Sequence, residues 1–255
     1  MKLFKKVLAG VAVAAALVAP AFATVTVQGI SWDPGPLLGQ FNFRQILSNT
    51  GELSGIGEFY YFGVSDYTSV GVVPTNPVGT GGQAGSFAPG RELTLHFYGF
   101  QDNGNGQFTG GFLDVFSDNH NDFAATTNTN VASATNSDYL TPFLTMQATA
   151  STFSTASGFT GFQSGTLDVS WSVISGAAAG LLDTDTFVTT FGTADVTSRA
   201  SATFPTPFVG VYSQNGANGE FHAYSIPEPE SLALVGFGLL GLAVARRRKS
   251  TKTAV

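Results

Sequence analysis

The sequence predicts an all-β fold, an antiparallel β-sandwich or jelly-roll-like domain of about ten short strands, and three observations carry that expectation. The apolar residues recur with a period of two, seen most regularly in Leu167-Asp168-Val169-Ser170-Trp171-Ser172-Val173, where large apolar side chains alternate with small polar ones. That alternation places Leu167, Val169, Trp171 and Val173 on one buried face of a strand. Stretches rich in Gly, Asn and Pro punctuate the chain at 74–85, 102–106, 158–165 and 215–219 and read as reversals. Cysteine is absent while twenty of the 23 phenylalanines lie between Thr24 and Ile226, so the core must form by aromatic packing, with about 1.5–3 kcal/mol from each buried ring.

Taken in chain order, the strand-like segments are Val25 to Val27, Phe59 to Val64, Leu93 to Phe97, Phe112 to Phe116 and Phe143 to Ala148. Leu167 to Val173, Phe187 to Phe191, Ala200 to Phe204, Val209 to Tyr212 and Phe221 to Ile226 complete the set. Short strands at such spacing imply a sandwich or a barrel. Helix is confined to one expected turn at Ala177 to Leu182. The roughly 200 residues from Thr24 to Ile226 are enough for one domain with a substantial core.

The two ends have a different character. Lys2, Lys5 and Lys6 precede the apolar stretch Val7 to Val18, and Ala21-Phe22-Ala23 supplies the small residues that signal peptidase accepts, so residues 1–23 read as a signal peptide cleaved after Ala23. At the other end Pro227-Glu228-Pro229 precedes the uncharged run Leu232 to Ala245 and the basic cluster Arg246-Arg247-Arg248-Lys249. Fourteen residues at about 1.5 Å each span roughly 21 Å, short of a hydrocarbon core of about 30 Å. Clustered Arg and Lys stay on the cytoplasmic side, so the run reads as a transient transmembrane helix with its basic stop at the inner face. Turn, short apolar helix and basic stop together resemble the PEP-CTERM sorting signal of Gram-negative bacteria. That resemblance implies a sorting tail over residues 227–255, handling by an exosortase-type processing enzyme at the inner membrane, and delivery to the cell surface or extracellular matrix.

Eight of the eleven basic residues belong to these ends. Between them, Arg44, Arg91 and Arg199 face fifteen carboxylates, a balance of −12 with no lysine. Such a surface repels phosphate backbones, which excludes nucleic acid as a partner and leaves divalent cations and extracellular polysaccharide as compatible ones.

Catalytic motifs are missing from the chain: no Gly-x-Ser-x-Gly elbow, no His-Glu-x-x-His, and no lysine in the central domain for a phosphate loop. His96 and His222 fall on the outward phase of their strands. The one ligand-like constellation is Asp118-Asn119-His120-Asn121-Asp122, whose Asp118, His120 and Asp122 at i, i+2 and i+4 form a candidate divalent-cation site if the stretch loops. Trp32, Tyr60, Tyr61 and Tyr98 are candidates for stacking on sugar faces.

Trp32-Asp33-Pro34-Gly35, Gly51 to Gly57 and Phe108 to Asp122, with Gly110-Gly111-Phe112-Leu113-Asp114 inside it, look like the flocculation-associated PEP-CTERM proteins. That resemblance implies a structural or adhesive role in an exopolysaccharide matrix and supplies no catalytic residues. The function expected is therefore an exported, non-enzymatic protein supporting flocculation or biofilm. A carbohydrate-binding module and a surface glycan hydrolase are the alternatives.

Overall fold

A computed structural model describes residues 24–64, 91–103, 108–120, 122–124, 127–155, 164–203 and 217–226, together with Gly236 and Leu239. The chain divides into a compact unit, Thr24–Pro227, and a second made of Met1–Ala23 and Glu228–Val255, which contributes only Gly236 and Leu239 to the described residues. Ala21, Ala23, Pro227, Glu228, Pro229, the basic residues Arg246 to Lys249 and the strand expected at Val209 to Tyr212 all lie outside them. Among the described residues no helix is long and apolar enough to cross a membrane.

Thirteen strands are described. In order they are β1 (Val25–Val27), β2 (Ile30–Trp32), β3 (Gly35–Leu47), β4 (Glu52–Val64), β5 (Glu92–Asp102), β6 (Phe108–Thr109) and β7 (Phe112–Asp118). β8 (Leu144–Thr155), β9 (Ser164–Ser175), β10 (Phe187–Thr189), β11 (Gly192–Ala194), β12 (Val196–Thr203) and β13 (Ala217–Ser225) follow. Eight of them close into an antiparallel barrel rather than the expected sandwich or jelly roll. Each wall strand, β3, β4, β5, β7, β8, β9, β12 and β13, pairs with the next in the chain, and β13 then pairs with β3 from Ala217↔Phe43 to Ser225↔Gly35. That last pairing consumes both free edges, which a sandwich leaves exposed. Strands of up to thirteen residues replace the short ones expected.

Glycine makes the closure sterically possible. Gly39, Gly55, Gly57 and Gly219 occupy inward positions, where a Cβ would strike the rings of Phe59 and Phe97, the Phe43 side chain and the Phe41 ring respectively. Small and large residues thus alternate around the interior, as the taper of a small barrel demands. Leu167, Val169, Trp171 and Val173 face inward and are buried, in the phase that the alternation predicts. Phe41, Phe43, Phe59, Phe62 and Phe221 pack in edge-to-face or tilted pairs 5.3–6.2 Å apart. A cavity of about 40 Å³ remains beside Phe41 and Phe43, lined also by the rings of Phe97, Phe100 and Trp171.

One end of the barrel is closed by the β1–β2 hairpin and the helical turn Ala179–Leu182, whose Val25, Ile30, Trp32, Leu181 and Leu182 join the core. Trp32 Nε1 donates to Ser225 Oγ at 2.8 Å, and Ile226 N–H donates to the Leu181 carbonyl at 3.0 Å. These bonds fix the last residues before Pro227 against β2 and the helical turn.

Candidate functional site

The outward phase of the barrel strands carries two polar regions. The first lies on β4, β5 and β7 beneath the segment joining β7 to β8. Phe123 and Ala134 of that segment pack on Ile56, and Thr94 Oγ1 donates to the Ala134 carbonyl. Arg44 Nη1 donates to the Thr127 carbonyl at 3.1 Å and Ser137 Oγ to the Ser117 carbonyl at 2.7 Å. Covered in this way, Glu58, Glu92 and Asp118 are buried although they point away from the core.

Register brings the carboxylates together, since Glu92 stands opposite Asp118 across β5 and β7. Glu92 accepts from the Phe123 N–H at 3.3 Å. Burial, followed by the negative charges of Asp122, Asp118 and Glu58, nonetheless pushes its carboxyl from 4.5 up to about 8, against the pull of that hydrogen bond. A cation would relieve the same repulsion, because it favours the charged form of every carboxylate around it.

The expected trio Asp118, His120 and Asp122 is distributed over two groupings that share Asp118. His120 Nδ1 lies 3.4 Å from Asp118 Oδ1 and 3.5 Å from Asp138 Oδ2, and Asp138 sits below the usual carboxylate range through hydrogen bonds from Asn119. Glu92, Asp118 and Asp122 form the other grouping, and within each the ligand atoms lie within 4.8 Å of one another. Oxygen donors in that number suit a hard divalent cation, and the buried Glu92 and Asp118 give the second grouping the lower local dielectric. Local spacing could not reveal Glu92 or Asp138, since one arrives by strand register and the other through the fold of the covering segment.

The second region is open. Thr152, Asp168, Arg199, Glu220 and Gln40 stand side by side across β8, β9, β12, β13 and β3, and Ser170, Thr197 and His222 form the neighbouring row. Arg199 Nε donates to Asp168 Oδ1 at 2.6 Å, and His222 Nε2 lies 3.6 Å from Glu220 Oε2. A depression of about 280 Å³ over these rows is bordered by Phe191 from the β10–β11 hairpin, and one of about 450 Å³ shares Arg199 and Glu220 with it and reaches Tyr60. The base of the hairpin is fixed by Asp195, 1% exposed, which accepts backbone N–H bonds from Val173 at 2.8 Å, Thr184 at 2.7 Å and Asp185 at 2.6 Å.

Of the aromatic residues proposed to stack on sugars, Trp32 is buried in the core and Tyr61 is buried on the outward phase of β4, opposite Gln40, so neither presents a face to solvent. Tyr98 is half-buried and stacks on both His96 and Phe112. Tyr60 is half-buried and stands at a bulge, where Gln40 pairs with Tyr61 and Phe41 with Phe59, leaving it the extra residue. Phe191, 62% exposed, was hidden in the sequence by its place in an expected strand.

Comparison with curated proteins and with solved structures gives no match. Residues 225–249 match the model of the PEP-CTERM protein-sorting motif, a range that takes in Pro227-Glu228-Pro229, the apolar run and the basic cluster. The chain thus carries a PEP-CTERM protein-sorting motif at its C-terminal end, the signal of an exosortase substrate, which implies export and membrane-associated processing toward the cell surface.

Proposed function

We propose that the protein is a non-catalytic adhesive component of the extracellular matrix, holding cells together through secreted polysaccharide. The observation that carries this reading is the sorting tail joined to a lysine-free barrel domain of charge −12, an address for the cell exterior on a body with abundant carboxylates and hydroxyls. The absence of nucleophile, zinc-protease and phosphate-loop motifs from the sequence supports a role without turnover. Divalent cations serve as links between protein carboxylates and anionic glycan, with Asp118 as the shared ligand of the covered cluster.

Deletion of the chain should leave secreted polysaccharide abundant but the cells dispersed, and exported protein should restore clumping. Normal aggregation of the deletion strain, or cleavage of the host polysaccharide by the purified protein at enzymatic rates, would overturn the adhesive reading. The same reading expects removal of both end segments: intact mass should show a mature start at Thr24 and loss of the region from Leu232 to Val255, and a surface protein that retains Arg246 to Lys249 would overturn tail removal.

A further inference from the structure

We propose that the open depression across β9, β12 and β13 is a binding groove for an uncharged polysaccharide chain, with Phe191 and Tyr60 as the stacking platforms at its two ends. The inference rests on the adhesive reading for its biological sense and names the surface and ligand class through which adhesion would act.

Four physical features favour this ligand. The depressions of about 280 and 450 Å³ meet at Arg199 and Glu220 and so form one surface, each close to or within the roughly 300–1,000 Å³ typical of small-molecule sites. From Asp168 on β9 to β4 there are four strand spacings of about 4.8 Å, or about 19 Å, which suits a chain of several sugars better than a single one. An exposed Phe191 at one end and the bulge-presented Tyr60 at the other supply apolar rings to cover the C–H faces of a pyranose. Between them Arg199 offers planar donors, Asp168 and Glu220 offer acceptors, and Thr197 and Ser170 offer hydroxyls that both donate and accept.

Charge selects within the glycans. One arginine stands against two carboxylates in the groove, in a domain of −12 without lysine, so an anionic polymer is repelled. Asp168 is already engaged by the Arg199 guanidinium at 2.6 and 3.4 Å, which lessens the pull on an amine-bearing polymer. Fixed partners with little spare charge are the complement of a neutral, hydroxyl-rich chain. Asp195 keeps the platform in place, since its three backbone hydrogen bonds tie the hairpin carrying Phe191 to β9.

The test titrates exported protein, purified from culture medium and held in EDTA so that no cation bridges its carboxylates to an anionic polymer, with three neutral polymers (a soluble β-glucan, dextran and a galactomannan), with chitosan oligomers and with alginate, using affinity electrophoresis and calorimetry. Saturable binding to at least one neutral polymer, weakened tenfold or more in Phe191→Ala and in Glu220→Gln but less than twofold in Val188→Ala on the same hairpin, supports the groove. Thermal melts of all variants should overlie the wild type, so that loss of binding reports the surface. Binding to none of the neutral polymers, tighter binding to alginate or chitosan, or unchanged binding in both Phe191→Ala and Glu220→Gln would overturn it. These outcomes are separate from the aggregation phenotype: a deletion strain that clumps normally while the groove still binds removes the adhesive reading alone.

Discussion

The covered wall of β4, β5 and β7 and the open wall of β9, β12 and β13 are built from the same alternation, yet their carboxylates have opposite circumstances. On the open wall Asp168 keeps its water and gains Arg199 across the strand register. On the covered wall the segment after β7 strips the water from Glu92 and Asp118 and supplies no lysine or arginine among the causes acting on Glu92, so its proton is retained to about pH 8. Outward phase in a strand therefore does not mean solvent. What decides the chemistry is whether a connecting segment returns over the wall.

The largest effect should come from the interior that both walls share. Trp171 is 3% exposed, meets Phe100 edge-on at 5.7 Å and donates to Ser198 Oγ at 2.8 Å. Trp171→Ala should cost about 3–5 kcal/mol through lost burial and the cavity left behind. Ser170→Ala, one residue away on the outward phase of the same strand, removes one hydroxyl and leaves the apolar core intact, so it should cost less than about 1.5 kcal/mol. Equal effects of the two in a urea titration would show that the walls do not enclose a common core.

Next in size is a pH dependence confined to the covered wall. The folded state holds a proton on Glu92 up to about pH 8, whereas the unfolded chain releases it near 4.5. Folding takes up a proton between those values, so the contribution of Glu92 to stability falls as pH rises through the window and is level above it. Glu92→Gln should flatten the profile in titrations at pH 5, 6.5 and 8, and a variant that keeps the wild-type slope would locate the titration elsewhere.

Millimolar calcium provides a smaller and more specific discrimination. It should raise the melting temperature at pH 8 in the wild type, because a ligand bound only by the folded state stabilises it, and should have less effect in Asp118→Asn, which removes the carboxylate common to both groupings. An identical calcium response in the two proteins would remove the cation from the covered wall. The smallest effect is expected from Arg199→Ala on the open wall, below about 1 kcal/mol, since the Asp168–Arg199 pair is solvated and screened. A larger loss would mean that the open wall depends on its ion pair as strongly as the covered wall depends on burial.

Several elements were legible in the sequence because strict alternation reports a wall strand with one face in the core, and Leu167 to Val173 is the plainest case. β3 was not legible. It opens on Gly35-Pro36, which reads as a turn, and Gln45 takes an inward position where the pattern calls for an apolar residue. The first part of β4 was hidden by Gly55 and Gly57, which signal reversal in a sequence but here clear space for Phe97 and Phe43. At the covered wall, Asp118, His120 and Asp122 stood out because they are close in sequence, whereas Glu92 and Asp138 become neighbours only through register and a returning segment.

The sequence by itself determined the sorting tail, the β-class of the domain, its acidity and the inward phase of Trp171, because each is a matter of local order, composition or period. Only the tertiary structure decided that the sheet closes, through the pairing of its first and last wall strands, β3 and β13. It also decided which carboxylates lose their water and which rings border a groove, because these depend on contacts between residues far apart in the chain, and the period of a single strand carries no record of what packs against its outer face.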